Sequence, residues 1–118
     1  MIINKTKNAT LTKNTKLITG LFRQAFGLMF RKTLNNTGWV FLLPRKSKWH
    51  VTNLFVFQTI TVLWLDENKK VLQSRLVKPF TPHIAGIKNT CFLLELPASA
   101  FSKVAVGDEI AWKESKRI

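Results

Sequence analysis

"VTNLFVFQTITVLWL", residues 51–65, is the longest charge-free apolar stretch of the chain. A helix that spans a bilayer needs about 20 such residues, so this stretch is too short to be one. It is rich in Val, Ile, Thr, Phe and Trp, the side chains that suit a half-buried pleated surface. We read strand over 49–57 and 60–65, either one bent strand or two with a bulge near Gln58–Thr59. "DENKK", 66–70, is a tight hairpin turn, and "VLQSRLV", 71–77, pairs back on the strand before it. A hairpin of this kind sets a mainly β fold.

Working outward, "TCFLLELP", 90–97, is a further strand, and "ASAFSKVAVGDE", 98–109, is a connection with room for a helical turn. "EIAW" is the final strand. Residues 78–89 form a loop punctuated by Pro79, Pro82 and Gly86. Upstream, "WVFLLP" reads as a short strand stopped by Pro44, and "RKSK" as a basic loop. The opening 18 residues read as two short strands around a polar turn near Asn8. Between them and Gly38, apolar residues recur from Leu17 to Phe30 at helical spacing, with Thr19 as N-cap and Gly27 as interruption. "LNNTG", 34–38, is turn-like, since Asn tolerates the left-handed region. The expected fold is therefore α+β, mainly β. It has one antiparallel or mixed sheet, or an open barrel, of six or seven strands and a main helix near residues 18–30.

The 118 residues suit one domain, 1–118, with a core over about 3–112 and a basic tail at 113–118. A chain of this size buries roughly 65% of its unfolded surface, enough for one core without staples. Cys91 is the lone cysteine, so no internal disulfide forms. No apolar run of signal-peptide length opens the sequence, and a cytoplasmic protein without a transmembrane segment is expected.

Charge is unevenly spread. Ten basic residues and no acid precede Asp66; nine basic residues and all six acids follow from there. A half-molecule without a carboxylate would project a positive field toward polyanions. Basic residues and an aromatic interleave at Arg45, Lys46, Lys48 and Trp49, which makes nucleic acid or another polyanion the alternative partner.

Four ordered motifs carry a family resemblance. "RQAFGLMFRKTL", 23–34, resembles the Arg-x-x-x-Gly-Leu-Met-x-Arg signature of the domain-of-unknown-function 192 family. "GWVFLLP", 38–44, is similar to its glycine-led apolar strand, and "FVFQTITVLWLDENKKVL", 55–72, to its Met-x-x-Pro-Ile/Leu-Asp element with the strand and turn that follow. "FLLELPASAFSKVAVGDEI", 92–110, resembles its Leu-Glu-Leu-Pro-Ala and Val-Gly-Asp ending. The resemblance implies a β-rich domain of this length and no established activity. It also locates departures. Thr61 stands at the family Asp, Thr59 at the Pro, Val56 at the Met and Ser99 at a Gly. His50 matches an upstream family His only if two residues are inserted; otherwise Thr52 takes the place.

No reaction is written in these residues. His50 and His83 lie far apart with no carboxylate at ligand spacing, so no metal site is expected. A Cys91–His pair lacks an orienting third group. No phosphate-cradling glycine loop is present, and neither a catalytic residue nor a cofactor is assigned. Strand alternation puts Glu95 with Cys91 and Leu93 on one face of its strand. That face is either the wetter one, or Glu95 pairs with Arg23 or Arg31 to fix the helix on the sheet. A membrane-surface role for 16–32 would strip the sheet of its helix. The expectation is a non-catalytic binding or interaction module, a monomer or weak homo-oligomer. Its candidate binding residues are Arg23, Arg31, Glu95, His50 and Thr61, and an enzyme of unknown class is the lesser alternative.

Overall fold

The computed structural model describes residues 1–18, 36–47, 58–79, 87–113 and 116–117; at 18, 43–47, 116 and 117 only the backbone is described. Among the described residues, nine strands form two sheets. They are β1 (Ile2–Asn4), β2 (Ala9–Thr12), β3 (Asn14–Ile18), β4 (Thr37–Ser47), β5 (Ile60–Leu65), β6 (Val71–Val77), β7 (Thr90–Pro97), β8 (Ile110–Trp112) and β9 (Lys116–Arg117). A 3-10 helix, Ala98–Lys103, follows β7. The large sheet runs β6-β5-β7-β4-β3-β9 and the small one β2-β1-β8. The large sheet is mixed: β3 lies parallel to β4 and to β9, and its other pairs are antiparallel.

The mainly β expectation holds, with its strands shared between two sheets rather than one. β5, "ITVLWL", is buried at all six positions. A strand covered on both faces reads as a continuous apolar run, and this is why the opening stretch lacks alternation. On one face, Leu63, Leu65, Leu94, Leu96, Val40 and Leu17 of the large sheet pack with Ile2, Leu11 and Ile110 of the small sheet and Ala100 of the 3-10 helix. On the other face, Phe41, Ile60, Val62, Trp64, Val77 and Leu93 form a second cluster.

The turns follow local chemistry. Asn8, Asn36, Lys69 and Asn89 all have positive φ. In the β5–β6 hairpin, Asp66 Oδ1 accepts from the backbone N–H of Asn68 at 2.8 Å and of Lys70 at 3.0 Å, an Asx-type closure.

Two expectations are overturned. Leu17 and Ile18 belong to β3, not to the start of a helix. Leu17 is buried in the core between the sheets, and an apolar residue on a parallel strand satisfies the same spacing as one on a helix face. The rest of the expected helix, Thr19 to Phe30, lies outside the described residues. Pro44 does not stop its strand either. β4 continues to Ser47, and its register against β7 shifts between Leu42 and Ser47. An irregularity of that kind is where a sheet accommodates a residue that cannot donate to the ladder.

At Gly38 on β4 the small sheet comes close to the large one. A Cβ built there would collide with Ile2 Cδ1, lie 2.8 Å from Leu96 Cδ2 and 3.2 Å from Thr12 Oγ1. Ile2 and Leu96 are themselves fully buried and have nowhere to retreat. Gly38→Ala in an open strand position would stabilise the protein through the unfolded chain. Here the expected sign is opposite: a loss of about 1–3 kcal/mol from overpacking, larger for Gly38→Val. Urea denaturation of the two variants checks both the sign and the order.

Candidate binding site

One register row crosses the whole large sheet. Lys116 on β9 lies beside Lys16 on β3, Lys16 beside Trp39 on β4, and Trp39 beside Glu95 on β7. Glu95 in turn lies beside Val62 on β5, and Val62 beside Arg75 on β6. Partners in register share a face, so Lys16, Trp39, Glu95, Val62 and Arg75 line one side of the sheet. Its middle is buried, with Glu95 and Val62 both at 0% exposure. Trp39 and Lys16 are half-buried and Arg75 is exposed.

Glu95 is therefore not on a wetter face. On its strand face it is flanked by Leu93 and, across the sheet, by Phe41, Val62 and Trp64, all of them buried. A carboxylate inside such a cluster loses hydration worth several kcal/mol, which only paired charge or hydrogen bonding offsets. Trp64 sits diagonally from Glu95, and its indole Nε1 is buried with no hydrogen-bond partner among the described residues. The cluster is thus apolar at its walls and polar at a few fixed atoms, a common makeup for a binding site.

Thr61 does not join Glu95. It pairs with Leu96, one residue out of phase, and so faces the other side of the sheet. Its hydroxyl donates to the carbonyls of Pro97 at 3.1 Å and Ala98 at 3.3 Å, tying β5 to the start of the 3-10 helix. Thr61 is here a buried structural tether. Arg23, Arg31, His50, Lys48 and Trp49 lie outside the described residues, as does His83. Arg45 and Lys46 are carried on β4 rather than on a loop. Cys91 is half-buried on β7.

The basic N-terminus meets acid from the far end of the chain. Lys5 pairs with Glu109 at 3.2 Å and Lys7 with Asp108 at 3.3 Å. Asp108 is nearly buried. Its Oδ2 accepts from Asn4 Nδ2 at 2.8 Å and from the Ala105 N–H at 2.9 Å. The same Asn4 amide donates to the Lys103 carbonyl at 2.9 Å. Gly107, at φ +93, makes the turn that brings Asp108 back into place. The sequence shows Asp108 only as part of the 98–109 connection; the missing signal is the partner, Asn4, about a hundred residues away. A cavity of about 290 Å³ lies by the β5–β6 turn, lined by Asp66, Glu67, Leu72 and Asn89. Asp66 is already committed there to closing the turn.

Among the described residues, no helix is long and apolar enough to cross a membrane, and no three His, Cys, Asp or Glu side chains are grouped to hold a metal ion.

The profile of the DUF192 family, "Uncharacterized ACR", matches residues 2–112. A UPF0127 protein of Thermococcus sibiricus is 29% identical, over 96% of this chain and 75% of its own. A UPF0127 protein of Pyrococcus horikoshii is 27% identical, over 95% of this chain and 98% of its own. The crystal structure of a protein of unknown function from Novosphingobium aromaticivorans superposes with a TM-score of 0.82 at 19% identity, covering 94% of this chain and 82% of that one. That likeness shows the fold.

The Asn4 amide, the Ala105 N–H and Lys7 hold the Asp108 carboxyl below the usual carboxylate range, the Asn4 bond contributing most. A carboxylate whose folded pKa is depressed adds stability above its unfolded pKa, near about 3.9, and that stability fades as pH falls through the folded value. Asp108→Asn keeps the shape but places an amide donor against the Asn4 amide. It is expected to cost about 1–3 kcal/mol at neutral pH. The gap from the parent protein should narrow as urea melts are run at pH values below about 4. A gap constant across that range would contradict this account.

Proposed function

Because the chain belongs to the DUF192 family, which brings a fold and no activity, we propose from its geometry that it is a non-catalytic binding or interaction module centred on Glu95. The whole chain, 1–118, acts as one unit in this reading, with 113–118 as its basic tail. The observation that carries it is the complete burial of Glu95 in the middle of the six-strand row, among Trp39, Val62, Phe41 and Trp64. An apolar wall around one carboxylate favours a cationic or hydrogen-bond-donating group. Arg23 or Arg31 supplies that group within the chain, and a ligand donor shares or displaces it. His50 completes the polar set.

A second reading, polyanion binding, has its own support. Arg45 and Lys46 ride on an extended β4, with Lys48 and Trp49 directly after.

Glu95→Gln keeps the volume and removes the charge. Native mass spectrometry of gently purified protein should show a small-molecule adduct or a bound partner on the parent chain. The Gln variant should lose it while keeping its far-ultraviolet circular dichroism spectrum. A parent chain that always flies at its bare monomer mass would overturn the binding reading. The internal pair has a separate check. Arg23→Glu with Glu95→Arg, or the same exchange at Arg31, should recover stability that either single change loses.

A further inference from the structure

We propose that the outer edge of β6, with the apolar side chains around it, docks an extended segment of a partner protein in which acidic and apolar residues alternate. The surface goes beyond the Glu95 reading and uses none of the residues that wall Glu95. Among the described residues, four large apolar side chains are exposed: Met1, Leu76, Phe101 and Val106. Three of the four adjoin β6. Leu76 lies on it. Phe101 belongs to the 3-10 helix that packs against it. Val106 precedes Gly107, whose N–H donates to the Val71 carbonyl at 2.8 Å. Exposed apolar residues scattered singly are ordinary, whereas a group of them beside one element marks an interaction surface.

The same strand offers backbone to pair with. β6 ends the large sheet, with β5 on its inner side and no described strand beyond it. Its first residue is covered, because the Val71 N–H donates to the Asp108 carbonyl at 2.9 Å. Over 73–77 the outer edge has no such partner among the described residues. An open edge presents a row of N–H and C=O groups on which an added strand can build.

Register sets what the added strand must carry. Arg75 pairs with Val62 and Gln73 with Trp64, so both lie on the face of the second cluster. Leu76 pairs with Thr61 on the opposite face, where the Thr61 hydroxyl meets the start of the 3-10 helix. Gln73, Arg75 and Leu76 are all exposed. Neighbours in register share a face, so a carboxylate meets Arg75 and an apolar side chain meets Leu76. Successive residues of a strand point to opposite faces, and the segment therefore alternates acid and apolar. Arg75 forms no ion pair among the described residues, while Asp108 and Glu109 are already matched by Lys7 and Lys5. A second copy of this chain is the poorer occupant, since it brings a formal net charge of +13 against its equal.

The test uses the full chain and a fluorescent peptide of about seven residues alternating Glu and Val, the length of an ordinary strand. Anisotropy reads the affinity, and amide hydrogen exchange reads the place. Protection should appear over 73–77. Arg75→Glu should weaken binding about tenfold or more and should gain a peptide alternating Lys and Val. Leu76→Ser should weaken the Glu–Val peptide by a similar factor. Lys13→Glu makes the same kind of charge change at an exposed position just before β3, toward the other end of the sheet, and should leave affinity within about twofold. Circular dichroism establishes that each variant is folded; Arg75→Gln and Leu76→Ala replace any that is not. The proposal is overturned if the parent chain does not bind the Glu–Val peptide at low salt, or if protection appears away from 73–77. It is overturned equally if a peptide with its Glu and Val in two blocks binds as well, since charge alone would then account for affinity. A parent chain that sediments as a dimer, and that Leu76→Ser returns to monomer, would assign the edge to a second copy instead.

Discussion

The contact between Gly38 and the buried side chains of Ile2 and Leu96 is the constraint on which the two-sheet arrangement depends. It sets how close the small sheet comes to the large one. That closeness lets Ile2, Leu11 and Ile110 fill the same core as Leu63, Leu94 and Leu96. The Asn4–Asp108 bond then locks the small sheet from its other end, since Asn4 closes β1 and Asp108 immediately precedes the approach to β8. Packing fixes the distance and the hydrogen bonds fix the direction. Neither would suffice alone: apolar contact is non-directional, and a buried carboxylate without donors is costly.

Much of this fold is legible in the sequence where the signal is local. The β5–β6 hairpin and β7 sit where composition and turn residues put them, because Asp66 closes its own turn and Asn89, just before β7, adopts the left-handed conformation that Asn tolerates. The misreadings share a cause. Leu17 and Ile18 carry a spacing that fits a helix face, but the parallel pairing of β3 with β4 decides their state, and pairing is not a local property. The reach of β4 beyond Pro44 is likewise decided by its neighbour. Glu95 shows the same limit at the candidate site. Strand alternation gives its face correctly, but not that the face is closed.

Charge teaches a related lesson. An acid-free run of 65 residues suggests a positive half-molecule. Folding mixes the halves: the acids of "VGDE" return to Lys5 and Lys7, and the N-terminal hairpin loses much of its field. What survives is set by register. The long row from Lys116 to Arg75 puts charge at both ends of the large sheet and a sequestered carboxylate at its centre. Field strength in this protein follows strand order rather than position along the chain.

The antiparallel pairing of β1 with β8 joins Ile2 to Trp112 and Asn4 to Ile110. The chain therefore cannot complete its smaller sheet in the order in which it is synthesised. When the β1–β2 hairpin leaves the ribosome, its third strand has not yet been translated, and a lone two-stranded hairpin is marginal in water. Ile2 and Leu11 must wait, exposed, through nearly the whole elongation time. The polar turn "NKTKN" and its lysines then do a second job: during that wait, they keep the hairpin soluble.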